Sequence, residues 1–436
     1  MIEPPPGAAP TGRGAASRLR CSDPACGTWL NREEGVYSCP RCGQLAELVL
    51  EIDPAGARSW RERWRARLPG RDAAGRSGVW RFSELLPSIA PGVDAVTLGE
   101  GGTPLLELPQ LAAELQLEGL WVKHLGVNPT GSFKDLGMTV CVTEARVLGR
   151  GVVACASTGN TSASMAAYAA RAGLRALVLV PEGQVTAAKL AQALDFGAMV
   201  VQAGETFDEA FHLLRQLAPR LNLYLANSIN PFRLEGQKTA VVELLEQLDW
   251  RPPDYLILPG GNLGNVSALG KGISELADAG LVTDVPRLGV VQAEGASPFH
   301  RMWSSGAEEL VPEDHPETRA TAIRIGRPAN WPRAMRALLR TRGLTAAVPD
   351  SEIETAKRRL AELGVGCEPA SAASLAGLRR MLQSGQVPAG ARVVLVLTGH
   401  QLKDTAYVEE HLAGLPGIRR AEPTLEGVER SLRGWL

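Results

Sequence analysis

Residues 151–181, "GVVACASTGNTSASMAAYAARAGLRALVLVP", decide the fold. Two apolar runs, "GVVACAST" and "RALVLVP", have the length and residue types of buried strands. Between them, "TSASMAAYAARAG" predicts a helix that ends at Gly173, because glycine commonly follows the last helical turn. A strand, a helix and a second strand of this kind form a crossover unit of a parallel sheet. The stretch therefore predicts an α/β fold.

The same alternation continues along the chain. Further helical segments are "TAAKLAQALDFG" and "TFDEAFHLLRQLAPRL", and further buried strands are "AMVVQAG", "DYLILPGG", "RLGVVQAEG" and "RVVLVLTGH". We expect two parallel-sheet lobes, a small one over 140–235 and a large one over 93–139 plus 236–436. Ligands of such sheets bind beyond the carboxyl ends of the strands. The loops after "CAS", "LILP" and "LVLT" are therefore the candidate binding loops.

Size and composition fit a globular protein of two or three domains. The chain has 436 residues, 45% of them hydrophobic, and a net charge of -1, and domains usually have ~100–200 residues. The near-neutral charge gives no indication of a nucleic-acid or anionic-membrane partner, and no apolar run reaches the ~18 residues of a membrane span. Residues 1–18 lack a signal-peptide core and predict a disordered tail. We therefore expect a cytoplasmic protein.

Four cysteines within residues 19–52 form a metal-binding pattern. The segment "CSDPACGTWLNREEGVYSCPRCGQL" places a C-x4-C pair before a C-x2-C pair. Two such turns bring four thiolates within reach of one tetrahedral ion, as in a zinc ribbon. We expect a zinc-ribbon-like module that holds a structural zinc ion through Cys21, Cys26, Cys39 and Cys42. The alternative is a ribbon that has kept its thiols and binds no metal.

Residues 53–92 predict a linker and an N-terminal helical segment. Within it, "RSWRERWRARLPGR" (58–71) is basic and carries Trp60 and Trp64 one helical turn apart. Such a stretch is either a nucleic-acid patch or a solvated helix that packs one aromatic stripe against its own domain. The second is the commoner case and is the one we expect.

Three candidate loops carry groups suited to a phosphorylated ligand. In "LILPGGNLGNVSAL", the glycine-rich loop from Gly261 to Asn265 opens a helix, where backbone N–H groups and the helix dipole favour phosphate. In "CASTGNTSAS" there are more small polar residues than one helix cap needs, and Asn160 suits a phenolate-type oxygen. Thr398 ends a buried strand, where its hydroxyl suits a ring nitrogen. The alternatives are a structural glycine turn, a well-capped helix and an ordinary strand-end threonine.

A single lysine, Lys134, lies in "NPTGSFKD" (128–135), directly after a Pro-Thr-Gly-Ser turn. A solvated surface lysine needs no such fixed setting. A lysine amine forms Schiff bases, and pyridoxal phosphate is the cofactor that pairs such a lysine with a phosphate-binding loop. We therefore expect pyridoxal 5'-phosphate at Lys134.

Taken together, "NPTGSFKD", "ASTGNTS", "PGGNLGN" and "LTGH" resemble the fold type II pyridoxal-phosphate enzymes, which share the tryptophan synthase β-like fold. Within that group, "GEGGTPLL" and "ANSINPFRLEGQKTA" are similar to the threonine synthases. The stretch "WVKHLGVNPTGSFKDLGMTV" is similar to their plant-type branch. The resemblance covers roughly residues 75–410, and the cysteine ribbon also resembles a module of many family members. Gln401 departs from the usual "TGHGLKD".

The resemblance implies a role for each matching residue. Lys134 would carry the cofactor as a Schiff base and, once freed, act as the base at Cα. Asn160 would contact the cofactor's 3′-oxygen and Thr398 its ring nitrogen. The cofactor phosphate would lie on a loop of five residues: Gly261, Asn262, Leu263, Gly264 and Asn265. The substrate would be held by four: Ser228 and Arg233 at its phosphate, and Ser157 and Thr161 in the same pocket.

The implied reaction converts O-phospho-L-homoserine and water to L-threonine and phosphate, the last step of threonine biosynthesis, and a homodimer is usual for the family. A threonine dehydratase, a serine dehydratase and a cysteate-synthase-like β-replacement enzyme remain alternatives, as does a catalytically silent threonine-synthase-like binding protein. Ser228 and Arg233 favour a phosphorylated substrate, because the planar fork of arginine matches phosphate oxygens. As a neutral hydroxyl, Thr398 implies a milder electron sink than an acid at the ring nitrogen.

Overall fold

The computed structural model describes residues 14–68, 73–183, 187–404, 407 and 419–433. Within those ranges the chain forms three β-sheets, of three, six and four strands. Helices surround the two larger sheets, and none of the described helices has the length and apolar character needed to cross a bilayer.

The N-terminal sheet has the strand order β2-β1-β3, with β1 at Ser17–Cys21, β2 at Trp29–Leu30 and β3 at Ala46–Leu50. Both pairings are antiparallel. The predicted tail therefore extends too far: Ser17 pairs with Leu50 and Arg18 with Val49, so these two residues belong to the ribbon. Residues 1–13 of the predicted tail lie outside the described residues.

The six-stranded sheet has the order β12-β11-β10-β13-β5-β4. Its strands are β4 (Leu105–Glu107), β5 (Gly119–His124), β10 (Tyr255–Pro259), β11 (Arg287–Ala293), β12 (Leu344–Val348) and β13 (Arg392–Leu397). All pairings are parallel except that of the short edge strand β4. The apolar runs read from the sequence are thus buried central strands, and the glycine-rich loop and Thr398 lie at the same edge of this sheet.

The four-stranded sheet is parallel, with the order β8-β7-β6-β9. Its strands are β6 (Val152–Ala156), β7 (Arg175–Val180), β8 (Met199–Gln202) and β9 (Tyr224–Leu225). The stretch 151–181 therefore forms the predicted strand–helix–strand unit. The exact lobe boundaries remain a prediction.

Helices connect the strands and cover the sheets. In chain order they are α1 (Pro54–Ala57), α2 (Trp60–Arg67), α3 (Ala73–Arg76), α4 (Pro109–Glu114), α5 (Lys134–Val147), α6 (Asn160–Ala172), α7 (Ala187–Asp195), α8 (Phe207–Arg220), α9 (Pro231–Gln237), α10 (Thr239–Gln247), α11 (Gly264–Asp278), α12 (Pro298–Ser305), α13 (Trp331–Thr341), α14 (Asp350–Glu362), α15 (Pro369–Gln383) and α16 (Leu425–Leu432). Single 3-10 turns lie between some of them.

The basic segment packs as expected for a structural helix. Trp60 and Trp64 are buried on one face of α2, and Trp64 stacks on Trp250 with ring centroids 5.8 Å apart. The side chain of Arg67 pairs with Glu84 at 2.7 Å. The two tryptophans thus anchor α2 in the core, while residues 69–71 of the segment lie outside the described residues.

The ribbon contacts elements of both larger sheets. Arg32 forms a 2.5 Å ion pair with the buried Glu144 of α5, and the Tyr37 hydroxyl accepts the Leu225 N–H of β9 at 2.8 Å. On the other side, Lys271 of α11 donates to the Leu48 carbonyl at 2.7 Å. The ribbon therefore bridges the two halves of the molecule.

Candidate active site

Lys134 is the first residue of α5, and the turn before it is fixed by Asp135. The buried Asp135 carboxylate accepts the Thr130 N–H at 2.7 Å and the hydroxyls of Thr130 and Ser164 at 2.6 Å each. Lys134 Nζ lies 4.1 Å from the centroid of the Phe133 ring. These contacts explain the sequence around the lysine, because Asp135 stabilises the turn from which the Lys134 side chain extends.

The surroundings of Lys134 favour a neutral amine. Burial, joined by the positive charge of Arg233, lowers the pKa of Lys134 to about 7, and the negative charge of Glu368 opposes this shift. The side chain still keeps part of its surface accessible. An amine that is both accessible and substantially unprotonated near neutral pH is suited to covalent and base chemistry.

The glycine-rich loop forms a cradle for an anion. Leu263 has a φ of 61°, a left-handed conformation that turns the backbone into α11. A Cβ on Gly261 would lie 3.1 Å from the Ala322 carbonyl oxygen, so a side chain there would require the neighbouring backbone to shift by a few tenths of an ångström. Asn262 uses its side-chain oxygen to accept the Ala329 N–H at 2.9 Å, which pins the loop from outside.

The side chain of Asn265 indicates which kind of group the cradle is suited to bind. Both Nδ2 and Oδ1 of its side chain are buried and have no hydrogen-bond partner within the described residues. A buried amide without partners costs about 1–3 kcal/mol. A phosphate at the N-terminus of α11 would satisfy the Nδ2 donor, together with the helix dipole. The loop from Gly261 to Asn265 therefore fits the phosphate of a cofactor.

Asn160 and Thr398, which follow strands of different sheets, both bond one carboxylate. Asn160, at the start of α6, donates from Nδ2 to Glu368 at 3.1 Å. Thr398, just beyond β13, donates from Oγ1 to the other oxygen of Glu368 at 3.3 Å. Because these are the residues expected at the cofactor's 3′-oxygen and ring nitrogen, the structure brings the two predicted ring contacts together.

Sequence reasoning missed two residues of this cluster, Glu368 and Ser371. Ser371 Oγ accepts the backbone N–H groups of Thr398 and Gly399 at 2.9 and 3.0 Å, and lies 3.0 Å from Thr398 Oγ1. Glu368 occupies the N-cap position of α15, but its side chain makes no capping hydrogen bond. The available signal was an acid directly before a proline that opens a helix whose first ten residues are apolar or small, as in "EPASAASLAG".

Arg233 is a buried cation without a counter-ion. Its side chain is 1% exposed, and Nη1 donates to the Ala226 carbonyl at 3.0 Å. Its Nε has no partner, and no carboxylate of the described residues pairs with the guanidinium. Arg233 lies beside α5, the helix that begins at Lys134. A Cβ on Gly137 of α5 would lie only 2.6 Å from the Arg233 carbonyl oxygen.

The other predicted substrate residues are accessible. Ser228 is half-buried, and its carbonyl accepts from the Asn330 side chain at 3.2 Å. That asparagine also borders the cradle, since a Cβ on Gly264 would lie 3.6 Å from its Nδ2. Ser157 and Thr161 are half-buried beside the N-terminus of α6. None of these three hydroxyls has a role in the core that would exclude ligand binding.

The four ribbon cysteines are brought together as predicted. Their sulfur atoms all lie within 4.8 Å of one another, with Cys21 and Cys42 3.4 Å apart and Cys26 and Cys39 3.8 Å apart. In a tetrahedral zinc site with bonds of ~2.3 Å, sulfur atoms are ~3.8 Å apart. The donor set and its spacing therefore fit a zinc ion.

The residues predicted to bind pyridoxal phosphate lie beyond the carboxyl ends of β6, β10 and β13 or at the start of α5. Residues 96–399 match the family of pyridoxal-phosphate dependent enzymes. The threonine synthase of Methanocaldococcus jannaschii is 46% identical over 380 residues, which cover 87% of this chain and 91% of that protein. The chain belongs to the threonine synthase family. The threonine synthase of Synechocystis is 50% identical over 331 residues, which cover 76% of this chain and 84% of that one.

Solved structures agree on the fold. The structure of maize serine racemase superposes with a TM-score of 0.61, covering 82% of this chain and 97% of the racemase at 18% sequence identity. At that identity the likeness shows the fold alone. The fold type II architecture with its pyridoxal phosphate cofactor is thereby confirmed for this threonine synthase family member, and the individual residue roles remain predictions.

Proposed function

We propose that this enzyme converts O-phospho-L-homoserine and water to L-threonine and phosphate. The observation that supports this substrate is the buried guanidinium of Arg233, which pairs with no carboxylate of the described residues. A buried guanidinium without a carboxylate partner is costly unless an anion binds to it. Burial lowers the pKa of Arg233, yet arginine keeps its charge in proteins. A dianionic substrate phosphate is the ligand that this charge favours.

The phosphate site has a second component in Ser228. Its half-buried hydroxyl precedes Arg233 by five positions, across the Asn230 cap of α9. Asn230 accepts the Phe232 N–H at 2.9 Å and donates to the Leu225 carbonyl at 2.7 Å. This bracing holds the segment from Ser228 to Arg233 rigid, so that a hydroxyl and a guanidinium are presented together to the leaving group.

Lys134 is proposed as the base that removes the substrate's Cα proton. When bound, pyridoxal phosphate supplies the electron sink for the electron pair that this proton leaves behind. Because burial and Arg233 lower the pKa of the free amine to about 7, a large fraction of Nζ is neutral near neutral pH and can accept a proton. Ser157 and Thr161, at the start of α6, are proposed to bind the substrate carboxylate.

Three further properties are part of the proposal. The four-cysteine cluster of the ribbon holds a structural zinc ion, supported by sulfur positions that match a tetrahedral site. The enzyme acts as a homodimer, as the resemblance implies, and in the cytoplasm, as expected from the N-terminal sequence. Assignment to the plant-type branch rests on the sequence around Lys134 alone.

The test is a product assay on the purified, cofactor-loaded chain. With O-phospho-L-homoserine we expect threonine and phosphate in equal amounts. Lys134→Ala is expected to stay folded and to lose turnover and the visible absorbance of the lysine-bound cofactor. Substantial turnover in Lys134→Ala would contradict the role of the lysine. Cofactor absorbance without phosphate release would instead indicate a dehydratase or a β-replacement enzyme.

A further inference from the structure

Glu368 is a buried acid that the proposed reaction does not yet use. It is 4% exposed and lies at the N-terminus of α15. Its backbone N–H donates to the Gly399 carbonyl at 3.1 Å. A Cβ on Gly399 would collide with the Glu368 carboxylate. The glycine after Thr398 is therefore needed for the acid to approach the end of β13.

The two oxygens of Glu368 serve different partners. Oε2 accepts from Asn160 Nδ2 at 3.1 Å, and Oε1 accepts from Thr398 Oγ1 at 3.3 Å. The residue thus bonds both side chains that are expected to contact the cofactor ring. Of these two links, the one through the Thr398 hydroxyl can carry a proton.

Ser371 restricts how the Thr398 hydroxyl is oriented. Ser371 Oγ already accepts two backbone N–H groups, so its own proton must be donated. Thr398 Oγ1 at 3.0 Å is a nearer acceptor than the Gly399 carbonyl at 3.4 Å. Thr398 Oγ1 then has one lone pair occupied, one lone pair free and one proton to donate.

Two arrangements satisfy every group at this point. In the first, Glu368 is ionised and accepts the Thr398 proton, and the free lone pair of Thr398 accepts an N–H from a protonated ring nitrogen. In the second, Glu368 is protonated and donates to Thr398, which donates to an unprotonated ring nitrogen. Both contain the same number of protons, so they differ only in where one proton lies.

We infer that Glu368 is a positioning residue that supplies a proton to the cofactor's ring nitrogen through the Thr398 hydroxyl. In the transfer, the Glu368 O–H bond breaks and its proton binds Thr398 Oγ1. The original Thr398 O–H bond breaks, and that proton forms the N–H bond of the ring. Glu368 becomes a carboxylate and the ring gains one positive charge. The inference rests on the proposed function and alters the expectation, drawn from Thr398 alone, of a mild electron sink.

Burial and the charged and polar groups around Glu368 shift its pKa in opposite directions. Lys403 and, in its protonated form, Lys134 bring positive charge near the carboxylate, and the preceding residue, Cys367, contributes a buried thiol. Burial raises the pKa of Glu368, while Asn160, Lys134, Lys403 and Thr398 oppose the rise. Burial also lowers the pKa of Lys403.

The test is the ¹⁵N resonance of the ring nitrogen in holoenzyme loaded with ¹⁵N-labelled pyridoxal phosphate. In the wild type we expect a resonance displaced toward that of a protonated pyridine. In Glu368→Gln we expect the resonance of an unprotonated, hydrogen-bonded pyridine near neutral pH, because the amide has no acidic proton to transfer. The same variant is expected to lose at least tenfold in kcat with little change in KM.

Two further variants make the result decisive. Thr398→Val keeps the acid but removes the relay, and is expected to show an unprotonated ring nitrogen even if Glu368→Gln does not fold. Glu84→Gln removes a carboxylate that pairs with Arg67 and Trp64, and should leave the resonance unchanged. A wild-type resonance in Glu368→Gln or in Thr398→Val overturns the inference. If that variant still forms threonine and phosphate, the proposed function stands and only the proton relay is wrong. If the wild type shows no resonance of bound cofactor, both the relay and the proposed function are wrong.

Discussion

The backbone N–H of Phe133 donates to the carbonyl oxygen of Thr398 at 2.9 Å. This bond joins the residue before Lys134 to the residue expected at the cofactor's ring nitrogen. A second contact, the bridge between Ser132 and Gly399, lies beside it. The backbone before Lys134 and the end of β13 are therefore joined, and this fixes where the lysine side chain begins relative to the predicted ring contacts.

Arg233→Ala is expected to raise KM for O-phospho-L-homoserine well beyond tenfold. Charge-assisted hydrogen bonds to phosphate contribute ~1.5–3 kcal/mol, and no carboxylate among the described residues pairs with Arg233. Steady-state kinetics measure the effect. The matched control is Arg81→Ala, which removes another buried arginine, one already paired with Glu246. The control should lower stability and leave KM unchanged; equal KM values for Arg233→Ala and the wild type would place the substrate phosphate elsewhere.

The pH dependence of kcat should report Lys134. Its pKa is lowered to about 7, and the base must be unprotonated, so kcat is expected to fall about tenfold per pH unit below that value and to level off above it. Because the Arg233 charge lowers this pKa, Arg233→Gln should move the acid limb to higher pH. A limb that stays in place in Arg233→Gln would show that another group is titrating.

Asn265→Ala should weaken cofactor binding. The Asn265 amide is buried without a partner, so we expect it to bond the cofactor phosphate, and its loss should raise the dissociation constant for pyridoxal phosphate about tenfold. Equilibrium dialysis measures this directly. Asn262→Ala is the comparison, because that side chain bonds the Ala329 N–H instead. If Asn265→Ala binds the cofactor as the wild type does, the Asn265 side chain does not bond the phosphate.

Removing the ribbon metal should destabilise the whole enzyme. Elemental analysis is expected to give one zinc ion per chain, lost in Cys39→Ser and retained in Cys155→Ala, whose cysteine is buried in the four-stranded sheet. Because the ribbon bonds both larger sheets through Arg32 and Lys271, chelation should lower Tm by at least about 4 °C. A metal-free protein whose Tm does not respond to zinc would favour the ribbon without metal.

The parts of the site that the sequence predicts are those fixed by local backbone. The turn before Lys134 and the loop from Gly261 to Asn265 depend on glycine, proline and cap residues within a few positions of each other. Their conformation therefore follows from neighbouring residues, and the strand–helix alternation around them gives the fold class.

Glu368 could not be predicted in the same way. Its partners Asn160 and Thr398 are 208 and 30 positions away, and they follow strands of different sheets. In the sequence the acid has the appearance of an ordinary helix-start residue before Pro369. Only the placement of β13 in the centre of the large sheet, and the glycine at 399, bring the carboxylate to the ring contacts. The bridging position of the ribbon depends on tertiary contacts in the same way.

The most direct test of the proposed reaction is to run it in ¹⁸O-labelled water and to analyse both products by mass spectrometry. Loss of phosphate from Cγ followed by addition of water at Cβ places the label in the hydroxyl group of threonine and leaves the released phosphate unlabelled. We predict one ¹⁸O atom per threonine and none per phosphate. Labelled phosphate together with homoserine would mean that the enzyme merely hydrolyses the phosphate ester, and would contradict the account.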